Sequence, residues 1–496
     1  MNNKKLQSYF SLKNVMKSFL LALTISLLNN CSSYDSEPND ANYFNNQPPS
    51  NQSNLSSVDY WLTTSDKSQL FELHEDKLPK FSTNIHFSIH VDPETTFQEI
   101  DGFGFALTGG SALHLYNMDD VQRAELLTEL FSPDGIGISY LRVSIGASDL
   151  DPDPFSYNDI PNGQTDVDLD QFTIERDQEY LIPVLKEILA VNPEIKILGS
   201  PWSAPSWMKT NRNTIGGSLL AKYFSTYANY FVKYIEAYAA EGIRIDAITV
   251  QNEPLHDGNN PSMYISSSDM TSFVKNNLGP AFADSNIDTK IIVWDHNADN
   301  TSYPITILND PEANQYIDGS AFHLYAGDIK NLSLVHQAHP DKNLYFTEQW
   351  VSRDSDFALD LKWHTRELII GATRNWCKTV LEWNLVSNPQ LEPHTDGGCT
   401  LCLGGLTIDG NNVKRNVGYY IIAHASKLVR PGSVRIQSNY NDELPNVAFK
   451  TPDNKIVVIV LNDTDTAKSF NILVPQEPVT ASLSAGSVGT YVWDNK

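Results

Sequence analysis

Two glutamates, Glu253 and Glu348, each stand at the end of a short β-favouring run. Glu253 lies in TVQNEPL at 249–255, and Glu348 lies in LYFTEQW at 344–350. One carboxyl group can protonate a leaving oxygen while a second attacks or activates water. Glycosidic bond hydrolysis uses such a pair, about 5 to 5.5 Å apart for retention and roughly 6.5 to 9.5 Å apart for inversion. The alternative at each position is a glutamate that only caps the next helix.

These glutamates belong to a regular alternation of strand-like and helix-like segments. Short apolar runs end in polar clusters, and most of the segments between them have apolar residues three and four apart. The runs lie at 100–110, 138–149, 195–207, 245–254, 290–297, 319–328, 343–350 and 379–385. The pattern predicts an α/β fold, a closed parallel (β/α)₈ TIM barrel whose strand ends meet at one mouth. A doubly wound open sheet is the competing topology, and it is disfavoured because no phosphate-binding loop with a lysine follows the first run.

The chain changes character after about Leu428. Period-two apolar stretches, broken by Asn, Asp and Pro, replace the alternation and predict antiparallel strands. The tail over 429–496 is too short for a complete sandwich, so strands within 78–98 are expected to complete it. We therefore predict a small β-sandwich built from both ends of a catalytic barrel that spans 99–428.

The first residues have the composition of an export signal. Four lysines precede the apolar run SFLLALTISLL at 18–28, which is too short to span a bilayer, and Cys31 follows. We expect 1–30 to be a signal peptide and Cys31 to carry a lipid, so that the exported protein is anchored to the outer membrane. Ordinary signal cleavage near this point is the alternative, because LNNC departs from the usual small-residue pattern. The segment 31–77, rich in Asn, Ser, Pro and Asp, predicts a flexible linker.

The net charge of −25 restricts the ligands that the protein can bind. So acidic a surface disfavours nucleic acid and anionic membranes, and it suits neutral or cationic ligands. A neutral sugar polymer would meet no repulsion. Membrane contact is expected only through the lipid anchor, and the oligomeric state is left open.

Cys399 and Cys402 form a CxxC motif in the segment after the last predicted barrel strand. A zinc or redox site is one interpretation, but two thiols do not complete a tetrahedral site and no second CxxC accompanies them. In an exported protein a local disulfide is the expected state. We expect Cys377 to be a buried free thiol and His296, in the run WDHN, to form hydrogen bonds. No metal or other cofactor is expected.

Seven stretches together resemble glycoside hydrolase family 30, a family of retaining glycosidases that includes the lysosomal glucosylceramidases. In chain order they are DGFGFALTGGSA, YLRVSIGASD, SPWSAPSWMKTN, TVQNEP, FHLYAGD, YFTEQW and EWNLVSNP. The resemblance implies that Glu253 is the general acid/base and Glu348 the nucleophile of a double displacement. It implies sugar contacts from Asp149, Trp202, Asn252, His323, Tyr325 and Trp383, with Arg142 supporting the nucleophile. We expect the second carboxylate to raise the pKa of Glu253, as a general acid needs.

Two local features resemble the β-1,6-glucanase branch of that family. They are the nucleophile context FTEQW and the loop PHTDGGCTLCLGGLTID at 393–409. The expected substrate is therefore β-1,6-linked glucose, in a pustulan-type chain or as branches of laminarin, with exo or endo action left open. One alternative is an exo-β-glucosidase or glucosylceramidase-type activity on other β-glucosides. A glycan-binding lipoprotein without catalysis is a more distant one, and it would be favoured by loss of a carboxylate.

Overall fold

Parallel strands close into an eight-stranded barrel in the computed structural model, which describes residues 56, 58–75, 77–85, 87–475 and 477–494. In chain order, barrel strands 1 to 8 are Gly102–Ala106, Tyr140–Ser144, Lys196–Ser200, Ala247–Thr249, Lys290–Asn297, Ile317–His323, Asn343–Glu348 and Cys377–Asn384. Each of them falls within or overlaps one of the apolar runs. The prediction of a (β/α)₈ barrel is confirmed.

Helices follow each barrel strand and cover the outside of the barrel. The α-helices are Gly109–Tyr116, Asp120–Phe131, Glu175–Gln178, Leu181–Val191, Phe224–Ala240, Ser267–Phe273, Gly279–Asp284, Ser302–Leu308, Pro311–Asn314, Leu332–Ala338, Phe357–His364 and Val417–Ser426. Two of these continue through π-helical segments at Val274–Leu278 and Thr365–Ala372. Short 3₁₀ turns occur at Ser206–Met208, Ala221–Tyr223 and Ile329–Asn331. No helix within the described ranges has both the length and the apolar character needed to cross a membrane.

Side chains inside the barrel form two successive layers. The first layer is an apolar cluster of Tyr140, Leu198, Ala247, Ile292, Ala321, Tyr345 and Leu381. Because side chains alternate along a strand, the next inward position lies two residues farther on. Six of those seven positions hold Arg142, Ser200, Thr249, His323, Thr347 and Trp383. An apolar plug therefore closes the barrel beneath a mostly polar layer at the carboxyl ends of its strands, which is where TIM barrels place their sites.

A second sheet is built from both ends of the chain. Within the described ranges it has nine strands, in the order Leu70–His74, Asp59–Thr63, Val488–Asp494, Lys455–Leu461, Asn446–Lys450, Val434–Ser438, Ser88–Glu99, Lys468–Leu473 and Val479–Leu483. The long strand Ser88–Glu99 pairs with Lys468–Leu473 at its start and with Val434–Ser438 farther along. The sheet thereby folds into two layers, and the predicted β-sandwich from both ends of the barrel is confirmed.

The strand Lys455–Leu461 shows how the sandwich attaches to the barrel. Its sequence KIVVIVL has no polar alternation, because both of its faces are buried. Ile456, Val458 and Val460 point into the sandwich core. Val457, Ile459 and Leu461 belong to the large cluster around the barrel. The sandwich is therefore packed firmly against the barrel.

The prediction of a flexible linker over 31–77 is wrong for its second half. Strands Asp59–Thr63 and Leu70–His74 pair with each other, and the first also pairs with Val488–Asp494. The sequences DYWLT and LFELH are apolar enough for strands, but the Asn- and Ser-rich composition around them conceals this. The signal peptide over 1–30, the lipidation of Cys31 and the linker before residue 56 lie outside the described residues.

Truncated chains should reveal the contribution of these two strands. A chain that begins at residue 78 is expected to unfold at a lower temperature than one that begins at residue 56, because Val488–Asp494 loses its edge partner. It also loses the Thr63 hydroxyl that lies 2.8 Å from Nε2 of the buried His424. Thermal denaturation followed by circular dichroism measures the difference. Equal midpoints for the two chains would contradict this role.

Candidate active site

Glu253 and Glu348 lie on either side of one histidine. Nδ1 of His323 is 3.0 Å from Oε1 of Glu253 and 3.9 Å from Oε1 of Glu348. The two oxygens are thus no more than about 7 Å apart, which admits the retaining spacing of ~5 to 5.5 Å and excludes most of the inverting range. Both side chains are nearly buried at the barrel mouth, with residue exposures of 8% and 7%. A glutamate that only caps a helix would not meet a second carboxylate in this way.

The backbone around Glu253 holds its side chain in place. Glu253 follows barrel strand 4 and adopts φ of 46°, in the left-handed region that few non-glycine residues occupy. Its N–H donates to the carbonyl of Asp295 at 2.9 Å. Such a conformation persists only where the surroundings enforce it, and it is common at functional sites. Glu348, in contrast, is simply the last residue of barrel strand 7.

Asp295 lies at the centre of the site, although the sequence indicated only that it ends a barrel strand, where it could hold a ligand. Its carboxylate is completely buried, and its donors among the described residues come from several barrel strands. These are Arg142 Nη2 at 2.8 Å, Ser200 Oγ at 2.8 Å, Thr249 Oγ1 at 2.7 Å, Thr347 Oγ1 at 2.6 Å and His323 Nε2 at 3.1 Å. Burial opposes ionisation, but the charge of Arg142 and the donated hydrogen bonds lower the pKa of Asp295 well below its usual range. The carboxylate is therefore a permanent anion that orients its neighbours.

A β-bulge brings Asp295 into the barrel. Simple alternation from Ile292 would place Trp294 inside, yet Trp294 packs outside against Tyr303, with ring centroids 4.5 Å apart. Trp294 and Asp295 have φ values of 76° and 57°, and the pairing register with barrel strand 6 shifts at this point. The extra residue re-aims the strand, as bulges near active sites often do. The polar cluster WDHN at a strand end was the available signal in the sequence.

Arg142 binds Glu348, the residue that the resemblance implied it would support. Its Nη1 donates to Oε2 of Glu348 at 2.5 Å, and Nη2 donates to Oδ1 of Asn252 at 2.6 Å. The guanidinium is fully buried and lies 4.8 Å from the ring centroid of Trp202 and 5.7 Å from that of Trp383. Burial alone would lower its pKa, but the charges of Asp295 and Glu348 raise it. Arg142 therefore remains cationic and fixes one oxygen of Glu348.

The expectation that a second carboxylate raises the pKa of Glu253 is wrong. Burial does favour the protonated acid, but hydrogen bonds and charge from His296 and His323 outweigh it and lower the pKa of Glu253. The pKa of His323 is raised instead, to about 9. Burial alone would lower it, but the charge of Glu348 and the hydrogen bonds to Asp295 and Glu253 outweigh burial. The proton between these two groups therefore lies on His323 rather than on Glu253.

Glu253, His296 and His323 also have the residue types of a metal site. Their donor atoms lie within 4.8 Å of one another. A histidine ligand must be deprotonated, however, and His323 is held in its protonated form by the surrounding carboxylates. Its Nδ1 is already within hydrogen-bond distance of Glu253. The donor set fits the sharing of a proton better than the binding of a metal.

The predicted sugar contacts lie around the same mouth. Trp202 and Trp383 pack against each other with ring centroids 5.4 Å apart. The Tyr325 hydroxyl donates to Oε1 of Glu348 at 3.0 Å, although the residue as a whole is 37% exposed. Asn252 uses Oδ1 to accept from Arg142, which leaves its Nδ2 group for a ligand. Together they combine an aromatic surface with polar groups, as carbohydrate sites require.

Asp149 is a buried carboxylate beside both glutamates. Burial raises its pKa to about 7, and the negative charge of Glu348 acts in the same direction. The backbone N–H of Cys399 donates to its Oδ2 at 3.2 Å. Asp149 is therefore poised between its neutral and ionised forms near pH 7, and either form can bond to a sugar hydroxyl.

The loop after barrel strand 8 completes the wall of the mouth. Cys399 and Cys402 are joined by a disulfide, as expected, and Cys377 is a buried free thiol. Trp350, which sequence reasoning left without a role, packs against the cluster that contains Trp202 and Cys402. Its position two residues after Glu348 in the TEQW stretch was the signal that could have identified it.

Comparisons with known proteins agree with this geometry. The family model described as the glycosyl hydrolase family 30 TIM-barrel domain matches residues 100–429, and that of the family 30 beta sandwich domain matches 432–491. An endo-1,6-beta-D-glucanase of Aspergillus fumigatus is 35% identical over 391 residues, which cover 74% of this chain and 78% of the relative. Mouse lysosomal acid glucosylceramidase is 29% identical over 432 residues, covering 81% of this chain and 82% of the relative.

A solved endo-beta-1,6-glucanase structure has the same architecture. It superposes with a TM-score of 0.83 at 35% sequence identity and covers 89% of this chain and all of its own. The two family models together match most of the chain, from the first barrel strand into the last sandwich strand. The chain belongs to glycosyl hydrolase family 30 and is an O-glycoside hydrolase.

Proposed function

We propose that this enzyme hydrolyses β-1,6-glucosidic bonds of β-glucan with retention of configuration. The observation that carries the proposal is the placement of Glu253 and Glu348 around His323 in a chain that is 35% identical to an endo-1,6-glucanase. Glu348 is the nucleophile, and Glu253 is the general acid/base. Since two proteins that are 35% identical to this chain are named as endo-acting enzymes, we propose endo cleavage for this chain as well.

The first step forms a covalent intermediate. Glu348, fixed through Oε2 by Arg142, attacks the anomeric carbon while the leaving oxygen takes a proton from Glu253. The glycosidic C–O bond breaks, and an ester bond between Glu348 and the sugar forms. In the second step Glu253 removes a proton from water, which attacks the anomeric carbon and releases Glu348. Two inversions give net retention.

The proton for the first step is held by the Glu253–His323 pair. His323 Nδ1 lies 3.0 Å from Oε1 of Glu253, and its Nε2 is 3.1 Å from Oδ1 of Asp295. A bound sugar displaces water around Glu253 and further disfavours its ionised form, so the proton shifts from His323 towards the glutamate. The pair thereby supplies an acid during glycosylation and accepts a proton during hydrolysis of the intermediate.

Sugar recognition is proposed for the residues around the carboxylates. Trp202 and Trp383 offer an apolar surface for the C–H face of the innermost glucose. Asp149, Asn252 and Tyr325 are suited to its hydroxyl rim, because each offers a polar group at the mouth. His323 is fully buried and bonded to two carboxylates, so its role is to hold the proton rather than to provide a broad sugar surface.

A glucosylceramidase-type or exo-β-glucosidase activity is the second candidate. The relationship to the mouse lysosomal acid glucosylceramidase supports it, since that enzyme, like the Aspergillus endo-glucanase, matches most of this chain. A barrel mouth that binds glycan without catalysis is disfavoured by the presence of both carboxylates within reach of His323. Linkage specificity resides in contacts beyond the innermost sugar, and product analysis distinguishes the candidates.

Product analysis on a panel of glucosides tests the proposed linkage. The purified enzyme is expected to release gentio-oligosaccharides from pustulan and to remove β-1,6 branches from laminarin, while xylan remains intact. A mixture of oligosaccharides at early times indicates endo action, because an exo enzyme would release glucose alone. Hydrolysis of gentiobiose and glucosylceramide without cleavage of pustulan would contradict the proposal and favour the second candidate.

Substitution of each glutamate tests its assigned role. Glu348→Gln is expected to abolish turnover, because no covalent intermediate can form. Glu253→Ala is expected to hydrolyse glucan about 10²- to 10⁴-fold more slowly than the wild type, because the leaving oxygen no longer receives a proton. Its activity should fall far less on an aryl glucoside whose leaving group needs no proton, and added azide should restore activity. Glu392→Gln, at an exposed position, is the matched control. Full activity of Glu348→Gln, measured by reducing-sugar release, would overturn the assignment.

We propose that the enzyme is exported and anchored to the outer membrane through a lipid on Cys31. The support is the lysine-rich start, the apolar run at 18–28 and the position of the cysteine. Wild-type protein is expected in the membrane fraction of a bacterial host, and Cys31→Ala in the soluble fraction. Equal membrane association of the two would contradict lipidation at this residue.

A further inference from the structure

We infer that the Cys399–Cys402 disulfide is a positioning element for substrate recognition, holding Asp149 against the bound sugar. This rests on the proposed role of Asp149 as a contact to sugar hydroxyls. The disulfide lies in the loop after barrel strand 8, and one cysteine contacts Asp149 while the other is anchored in the aromatic wall. The pair thus affects affinity for the substrate more than the stability of the fold.

The segment around Cys399 forms hydrogen bonds with both the side chain and the backbone of Asp149. The N–H of Cys399 donates to Oδ2 of Asp149 at 3.2 Å. The N–H of Thr395 donates to the carbonyl oxygen of Asp149 at 2.9 Å. Between them, Gly398 passes so close that a Cβ atom would collide with the same carbonyl. The loop is therefore shaped to approach Asp149 directly.

Cys402 is fixed to the barrel independently of Asp149. It is 4% exposed and packs in a cluster with Trp202 and Trp383. The short strand Cys402–Leu403 pairs with Val351–Ser352, which follows the nucleophile closely in the chain. Its carbonyl also accepts from Nδ2 of Asn384 at 3.4 Å. Cys402 is thus a rigid point from which the disulfide can hold Cys399.

The short loop argues for a local role of this cross-link. The two cysteines are three positions apart, so the bond closes a very small ring. A ring this small removes little conformational entropy from the unfolded chain, because that gain grows with loop length. The main consequence of losing the bond is therefore a freer Cys399 and a weaker hydrogen bond to Asp149.

The ionisation of Asp149 depends on the same contact. Burial and the charge of Glu348 raise its pKa to about 7, whereas the Cys399 N–H favours the ionised form. Loss of that hydrogen bond would raise the pKa further. At neutral pH a larger fraction of Asp149 would then be neutral, and a neutral carboxyl group accepts weaker hydrogen bonds from hydroxyls than a carboxylate does.

The double variant Cys399→Ser/Cys402→Ser tests the inference with pustulan as the substrate. We expect KM to rise about tenfold, the effect of one weakened charge-assisted hydrogen bond, while kcat changes much less. The rise of kcat/KM that accompanies ionisation of Asp149 should move to higher pH. Thr400→Ala, at an exposed position between the cysteines, is the matched control and should behave as wild type. An unchanged KM and pH profile in the double variant would overturn the inference.

A double-mutant cycle with Asp149→Asn separates positioning from a general structural effect. If the disulfide acts through Asp149, the cysteine substitutions should add little to the loss already caused by Asp149→Asn. Additive losses, or a large fall in melting temperature that accounts for the loss, would overturn the inference. Should the double variant fail to fold, dithiothreitol treatment of the folded wild type gives the same comparison. Wild-type inactivity on pustulan would instead refute the proposed function, before any variant is compared.

Discussion

The ion pair between Arg142 and Asp295 organises the whole site. Both side chains are fully buried and 2.8 Å apart, so neither charge can be solvated by water. A buried charge is tolerated only when partners satisfy it, and here hydroxyl groups of Ser200, Thr249 and Thr347 complete the shell of Asp295. Arg142 then holds Glu348, and Asp295 holds the ring of His323. Loss of either partner would leave an uncompensated charge beneath Glu253 and Glu348.

This arrangement gives chemically similar carboxyl groups different pKa values. Asp295 stays ionised because a fixed arginine and several donors surround it, and Asp149 has a pKa of about 7 because it is buried near Glu348. Glu253 has a lowered pKa beside His323, whose own pKa is raised to about 9. The environment of each carboxyl group, rather than its residue type, therefore sets its protonation state.

The sequence predicted most of the architecture because its periodicity directly reflects burial. Apolar runs at 290–297 and 343–350 coincide with barrel strands, and the period-two tail forms the sandwich. Composition was a poorer guide in the segment before residue 78. There the strands Asp59–Thr63 and Leu70–His74 are short, and the polar residues around them dominate any average. A strand of five residues is stabilised by its neighbours in the sheet, which composition does not record.

The amino-acid sequence alone determined which residues end the barrel strands, and therefore that Glu253 and Glu348 would face one mouth. Tertiary structure decided what those residues can do. The bulge that turns Asp295 inward and the proton balance between Glu253 and His323 depend on contacts between distant strands. The hydrogen bond from the Cys399 N–H to Asp149 depends on such contacts as well. Periodicity specifies a face of a strand, whereas a pKa or a hydrogen bond depends on distances that exist only after the barrel has closed.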